Sequence, residues 1–209
     1  EATGRPPAGP VLDWPARADA AVRFTVPALD YPGVGRFVGP VGRDAAPEVP
    51  LPDWWADVDS GRPVVHVAED APVAPAVAGL AGSEVLVVVG SAVAGLLPPN
   101  TRAAPVLPYD KLLPRTSAVV TGGDWAVVHH ALEHGVPLVV TGRAGARVAR
   151  SGAGIALRGG GPRAVARAVR AVLSNPRYRA ASEAVGAQLA AAPGLAGLTE
   201  VLDALVGPR

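Results

Sequence analysis

The chain has 209 residues, 49% of them hydrophobic, enough for one large domain with a buried core. A net charge of +1 gives no global field for nucleic acid or an anionic membrane, and zero cysteines exclude disulfides, thiolate catalysis, iron–sulfur clusters and Cys-bound zinc. The longest apolar run, Val85 to Val89, is far shorter than the ~20 residues that cross a bilayer, and no signal segment opens the chain, so a soluble, cytoplasmic protein is expected.

Residues 1 to 50 hold scattered proline and glycine and one strand-like run, Val22 to Val26, before Pro27; they read as a connector. From Arg62 the pattern changes to short β-branched runs: Val64 to Ala68, Val85 to Val89, Ala103 to Leu107, Ala118 to Thr121 and Leu138 to Thr141. Runs of that length without alternation predict strands buried on both faces of a parallel sheet. Crossover helices are predicted between them. Trp125 to His134 is one, stopped by Gly135 and Pro137, and Arg143 to Ser151 is another, stopped by Gly152. Pro162 opens a longer helix with Val165, Val169 and Val172 on one face and Arg163, Arg167 and Arg170 on the other. Helices at Pro176 to Ala192 and Leu195 to Val206 follow. This alternation predicts a doubly wound, Rossmann-like α/β sheet, with its ligand at the carboxyl ends of strands.

The segment Thr121-Gly122-Gly123-Asp124-Trp125-Ala126-Val127-Val128-His129-His130-Ala131-Leu132-Glu133-His134-Gly135-Val136-Pro137 resembles the donor-binding signature of GT-B glycosyltransferases that make natural-product glycosides. Other pieces of that family's pattern stand around it in order. They are Arg36-Phe37-Val38-Gly39-Pro40, Pro52-Asp53-Trp54-Trp55, the run Val106-Leu107-Pro108-Tyr109 to Pro114, Ser151-Gly152-Ala153-Gly154-Ile155, and Tyr178-Arg179. The resemblance covers roughly residues 22 to 206. It implies residues 1–45 as a connector or remnant of an N-terminal domain, and 46–209 as the C-terminal, nucleotide-sugar-binding domain. It further implies metal-independent transfer of a sugar to a small-molecule acceptor. The acceptor domain, which carries the catalytic base in that family, is expected to lie outside this chain, and a chain that opens on Glu1 without methionine is read as a fragment. No catalytic residue, metal or cofactor is therefore assigned to this chain.

The resemblance places Val106, Leu107, Tyr109, Gly122, Gly123, Trp125, Ala126, Val127 and His130 on the donor, with His130 at the ribose-binding position. A diphosphate needs backbone N–H donors at a helix N-terminus and glycines that let it approach. Gly122 and Gly123 suit that task. Two carboxylates do not: Asp70 and Asp124 stand where the family has phosphate-facing glycines, and Gly122, Ala126 and Val127 replace its imidazole or amide, glycine and hydroxyl. Asp124 is preferred as an N-cap of the helix that follows it. These substitutions imply weak or lost binding of a nucleotide sugar, and leave a second reading open, a glycosyltransferase-like partner or scaffold without catalysis.

Other features read more simply. Arg143 and Arg147 are read as a solvated helix face before phosphate donors, and Trp54-Trp55 as a packed hinge before a sugar platform. His130 and His134 lack a third ligand for zinc. The apolar stripe Leu198, Val201, Leu202 and Leu205 needs cover, which the alternating Val22, Phe24 and Val26 are expected to supply.

Overall fold

Two short strands near the N-terminus, β1 (Val22–Arg23) and β2 (Arg36–Phe37), form a parallel pair in a strap that lies on the rest of the molecule. The computed structural model describes residues 18–41, 49–91 and 96–207. The domain boundary expected at residue 45 lies outside them. Only the first two residues of the expected Val22 to Val26 strand are extended in a sheet, because Pro27 fixes φ and starts a 3-10 turn, Pro27–Leu29. Arg36–Phe37, read as connector, supplies the partner strand.

Six parallel strands make the main sheet: β3 (Val64–Val67), β4 (Leu86–Val89), β5 (Thr101–Ala103), β6 (Thr116–Thr121), β7 (Leu138–Val140) and β8 (Gly154–Ala156), in spatial order β5-β4-β3-β6-β7-β8. Every residue of β3, β4 and β7 is buried, as strands covered on both faces require. The expected Ala103 to Leu107 strand sits earlier, at Thr101–Ala103. Pro105 has no N–H for a ladder, so the chain leaves the sheet edge after Ala104 donates to the Val89 carbonyl.

The connecting helices are α1 (Val73–Leu80), α2 (Tyr109–Leu112), α3 (Trp125–Glu133), α4 (Gly145–Ser151), α5 (Pro162–Ser174), α6 (Pro176–Ala191) and α7 (Gly194–Val206). On one face of the sheet, Val65, Val67, Val87, Val89 and Val120 pack against Val77 of α1 and Val165, Val169 and Val172 of α5. On the other, Val119, Leu138 and Val140 meet Val128 and Leu132 of α3 and Val185 and Leu189 of α6. Each such side chain contributes about 1.5–3 kcal/mol on burial. Gly186 is needed where α6 crosses α3, since a Cβ there would collide with the Leu132 carbonyl.

Val26 and Leu29 of the strap are buried in the α3–α6 core, and Val38 is buried where the Gly194 N–H donates to its carbonyl. The strap therefore does not cover α7 through Val22, Phe24 and Val26 as expected. Val26 serves α3 and α6, Phe24 faces solvent, and Leu195, Leu202 and Leu205 of α7 stay exposed. Among the described residues no single helix is long and apolar enough to cross a membrane.

Candidate functional site

The strand order reverses its direction of growth between β3 and β6: β4 and β5 are added on one side, β7 and β8 on the other. In an open α/β sheet the crevice outside the carboxyl ends at this switch is where ligands sit. Here β3 runs into Ala68-Glu69-Asp70 and β6 into Thr121-Gly122-Gly123-Asp124, so the two acidic positions of the sequence meet there.

The contacts at this turn are specific. The Thr121 hydroxyl donates to the Asp70 carboxylate at 2.9 and 2.8 Å, and the Asp124 backbone N–H donates to Asp70 Oδ2 at 2.7 Å. Thr121 Oγ1 in turn accepts from the Gly123 N–H at 2.9 Å. Asp124 caps α3, its Oδ1 accepting from the N–H groups of Ala126 at 2.8 Å and Val127 at 3.4 Å. The cap expected of Asp124 is formed. Glycine is required by proximity: a Cβ on Gly122 would collide with the Asp70 carbonyl oxygen, and a Cβ on Gly142 with that of Gly122.

Beside this turn a cavity of about 280 Å³ is lined by Glu69, Gly90, Val106, Leu107, Tyr109 and His130. It unites the Val106 to Tyr109 segment with His130, residues 21 apart at the closest in sequence. Proline explains the shape of its wall, because Pro105 and Pro108 hold residues 105 to 108 off the sheet before α2 starts. Contributors that sequence reasoning did not single out include Val49, Glu69, Gly90 and Asp110. Next to this cavity lies His66 of β3, fully buried, its ring edge-on to Tyr109 at 5.3 Å and its Nδ1 3.0 Å from the Val88 carbonyl. That carbonyl fixes the proton on Nδ1 and leaves Nε2 as an acceptor, with no partner among the described residues. Burial holds the imidazole at about 4, against the Val88 carbonyl and the Asp70 charge, which raise it. Burial pushes the Tyr109 phenol up, with the charges of Glu69 and Asp70 adding to the effect.

Trp125 stands apart from this group. At the first position of α3 it turns away from the crevice and lies 5.3 Å from the His129 ring and 5.9 Å from the Arg147 guanidinium. There it lines a second cavity, about 290 Å³, with Arg23, Phe24, Thr25, Asp30 and Arg147. Arg147, read as a solvated face, is instead tied to the strap: it meets Asp30 at 3.0 Å and stacks over Tyr31. Asp30 also pairs with Arg23 at 3.2 Å. Burial alone would raise Asp30, but the Tyr31 N–H and the guanidiniums of Arg147 and Arg23 outweigh it and hold the carboxyl below its ordinary value. Among the described residues no three His, Asp or Glu side chains are grouped to hold a metal ion.

Residues 78–206 match the family described as erythromycin biosynthesis protein CIII-like, C-terminal domain. The 4'-demethylrebeccamycin synthase of Lentzea aerocolonigenes is 40% identical over 201 residues, 88% of this chain and 48% of that protein. Among solved structures, the glycosyltransferase SnogD from Streptomyces nogalater superimposes with a TM-score of 0.68 at 24% identity, covering 90% of this chain and 56% of SnogD. The glycosyltransferase VinC, solved in complex with dTDP, gives 0.62 at 23% identity over 84% of this chain and 49% of VinC. The chain spans about half the length of the curated relatives it matches.

Proposed function

The chain belongs to the family of CIII-like C-terminal domains of glycosyltransferases, and on that premise we propose that it is the donor-side half of a nucleotide-sugar-dependent enzyme that glycosylates a small molecule. The observation that carries this reading is the cavity at the switch between β3 and β6. Its apolar wall, Val106, Leu107 and Tyr109, suits the face of a base, and His130 stands across it with ring nitrogens for ribose hydroxyls. Residues 46–209 are the donor domain in this reading, and residues 18–41 a strap that the domain holds in place.

The reaction asks little covalent chemistry of such a half. An acceptor hydroxyl attacks the anomeric carbon, the bond from that carbon to the diphosphate oxygen breaks, and the hydroxyl proton passes to a base outside this chain. The donor half orients the nucleoside end of the donor, and through it the anomeric carbon. Titration of the 209-residue chain with uridine and thymidine by calorimetry tests the reading: saturable binding at millimolar or better affinity is expected, and no heat from either nucleoside overturns it.

One observation favours a second reading, a glycosyltransferase-like domain that has lost donor binding and serves another protein as a partner. The Asp124, Ala126 and Val127 N–H groups at the start of α3 are already bonded within the chain. The same titration separates the two, because a scaffold has no use for a nucleoside.

A further inference from the structure

An anion arriving at the start of α3 would meet five backbone N–H groups, of which all but that of Trp125 already have acceptors: Gly123 on Thr121, Asp124 on Asp70, and Ala126 and Val127 on Asp124. The Asp70 carboxylate is central to this arrangement. It receives the Asp124 N–H and the Thr121 hydroxyl, and by fixing that hydroxyl's proton it leaves the Thr121 oxygen free to accept from Gly123. Backbone contact supports the placement independently of charge, because the Asp70 carbonyl fills the space where any side chain at position 122 would stand. The neighbouring base-and-ribose cavity is open and lined by different atoms.

We infer that Asp70 is a resident anion at the diphosphate seat, and that it makes this crevice a nucleoside site to which the two phosphates of a nucleoside diphosphate add no affinity. The inference rests on the nucleoside reading of the cavity. A phosphate approaching the Asp124 N–H must displace a carboxylate already bonded there, and if the carboxylate stays nearby the two like charges repel. The ligand class selected is therefore the uncharged nucleoside end. The donor affinity of the full enzyme would come from base and ribose alone.

The test compares uridine, uridine diphosphate and inorganic pyrophosphate on three forms of the chain: unaltered, Asp70→Ser and Asp70→Asn. Serine removes the charge and the reach of the carboxylate, whereas asparagine keeps the shape and one acceptor oxygen, so it remains informative where the serine variant folds poorly. Calorimetry gives the ratio of diphosphate to nucleoside affinity, and the backbone amide signal of Asp124 in nuclear magnetic resonance reports the seat directly. In the unaltered chain the ratio is expected near one and pyrophosphate leaves the Asp124 signal in place. In both variants uridine affinity stays within about twofold, the ratio rises about tenfold or more, and pyrophosphate shifts the Asp124 signal. A tenfold preference for the diphosphate in the unaltered chain overturns the inference, as do variants whose ratio does not rise. If uridine binds none of the three while pyrophosphate shifts Asp124 only in the variants, the nucleoside reading falls and the role of Asp70 stands.

Discussion

The two ends of the crevice are built at the same carboxyl edge of the sheet by opposite rules. At the Val106 to Tyr109 end, prolines hold the chain away from the sheet and leave a cavity walled by apolar side chains. At the start of α3 three loops close on one another, and the polar groups there satisfy each other through Asp70, Thr121 and Asp124. The first end has spare surface and few internal hydrogen bonds, the second the reverse. The open end is thus a place where a ligand can gain contacts, and the closed end a place where it must break them.

The sharpest test of the open end is the buried imidazole beside it. His66 is held at about 4 when folded against an ordinary value of 6.5, so the unfolded chain takes up the proton first. Its contribution is therefore complete above about pH 6.5 and lost progressively as the pH falls to about 4, on the order of 3 kcal/mol in all. Urea unfolding at pH 7.5 and 4.5 measures the loss, and His66→Gln should flatten it; an equal slope in the variant would assign the effect to other groups.

Next in size is the cavity wall. Tyr109→Ala should weaken nucleoside binding about tenfold, the scale of one lost base–aromatic contact, while the Asp70 and Asp124 bonds stay intact. Unchanged uridine affinity would place the base elsewhere.

The closed end predicts a loss of stability without a gain in binding. Asp124→Ala removes the α3 cap and should cost about 1 kcal/mol in thermal or urea unfolding, with no tightening of uridine diphosphate, because Asp70 still occupies the Asp124 N–H. Tightening equal to that of an Asp70 variant would show that Asp124, not Asp70, excludes phosphate.

The smallest effect is expected at His130, which is exposed. His130→Ala should weaken uridine about threefold, as one solvent-accessible hydrogen bond allows, and leave 2',3'-dideoxyuridine unaffected. Equal losses for both ligands would remove the ribose role.

Much of the frame was legible because its signals are local. Valine runs of strand length, Gly135 and Gly152 after helices, and Pro162 and Pro176 at helix starts all act within a few residues of where they stand. Asp124 was readable as a cap for the same reason. What escaped depended on distance along the chain. Asp70 reaches the Asp124 N–H across 54 positions, Arg147 finds Asp30 across 117, and neither bond leaves a trace in spacing. The orientation of Trp125 was hidden too: it adjoins the glycine turn in sequence, yet its place at the start of α3 sends the ring towards His129. Pro105 was visible, but its effect on register, ending β5 at Ala103, follows only once the β4 partner is known.

Packing at Gly122 also constrains how this crevice could change over generations. A histidine introduced at 122, the residue type the glycosyltransferase signature favours there, would strike the backbone of the Asp70 loop, and backbone cannot rotate aside as a side chain does. Gly142 lies against Gly122 in the same way, so widening one turn disturbs the other. Single substitutions that add a side chain at 122 therefore pass through strained intermediates unless residues 68 to 71 are rebuilt first. The order of events becomes part of the chemistry: the loop after β3 must open before the turn after β6 can acquire a side chain.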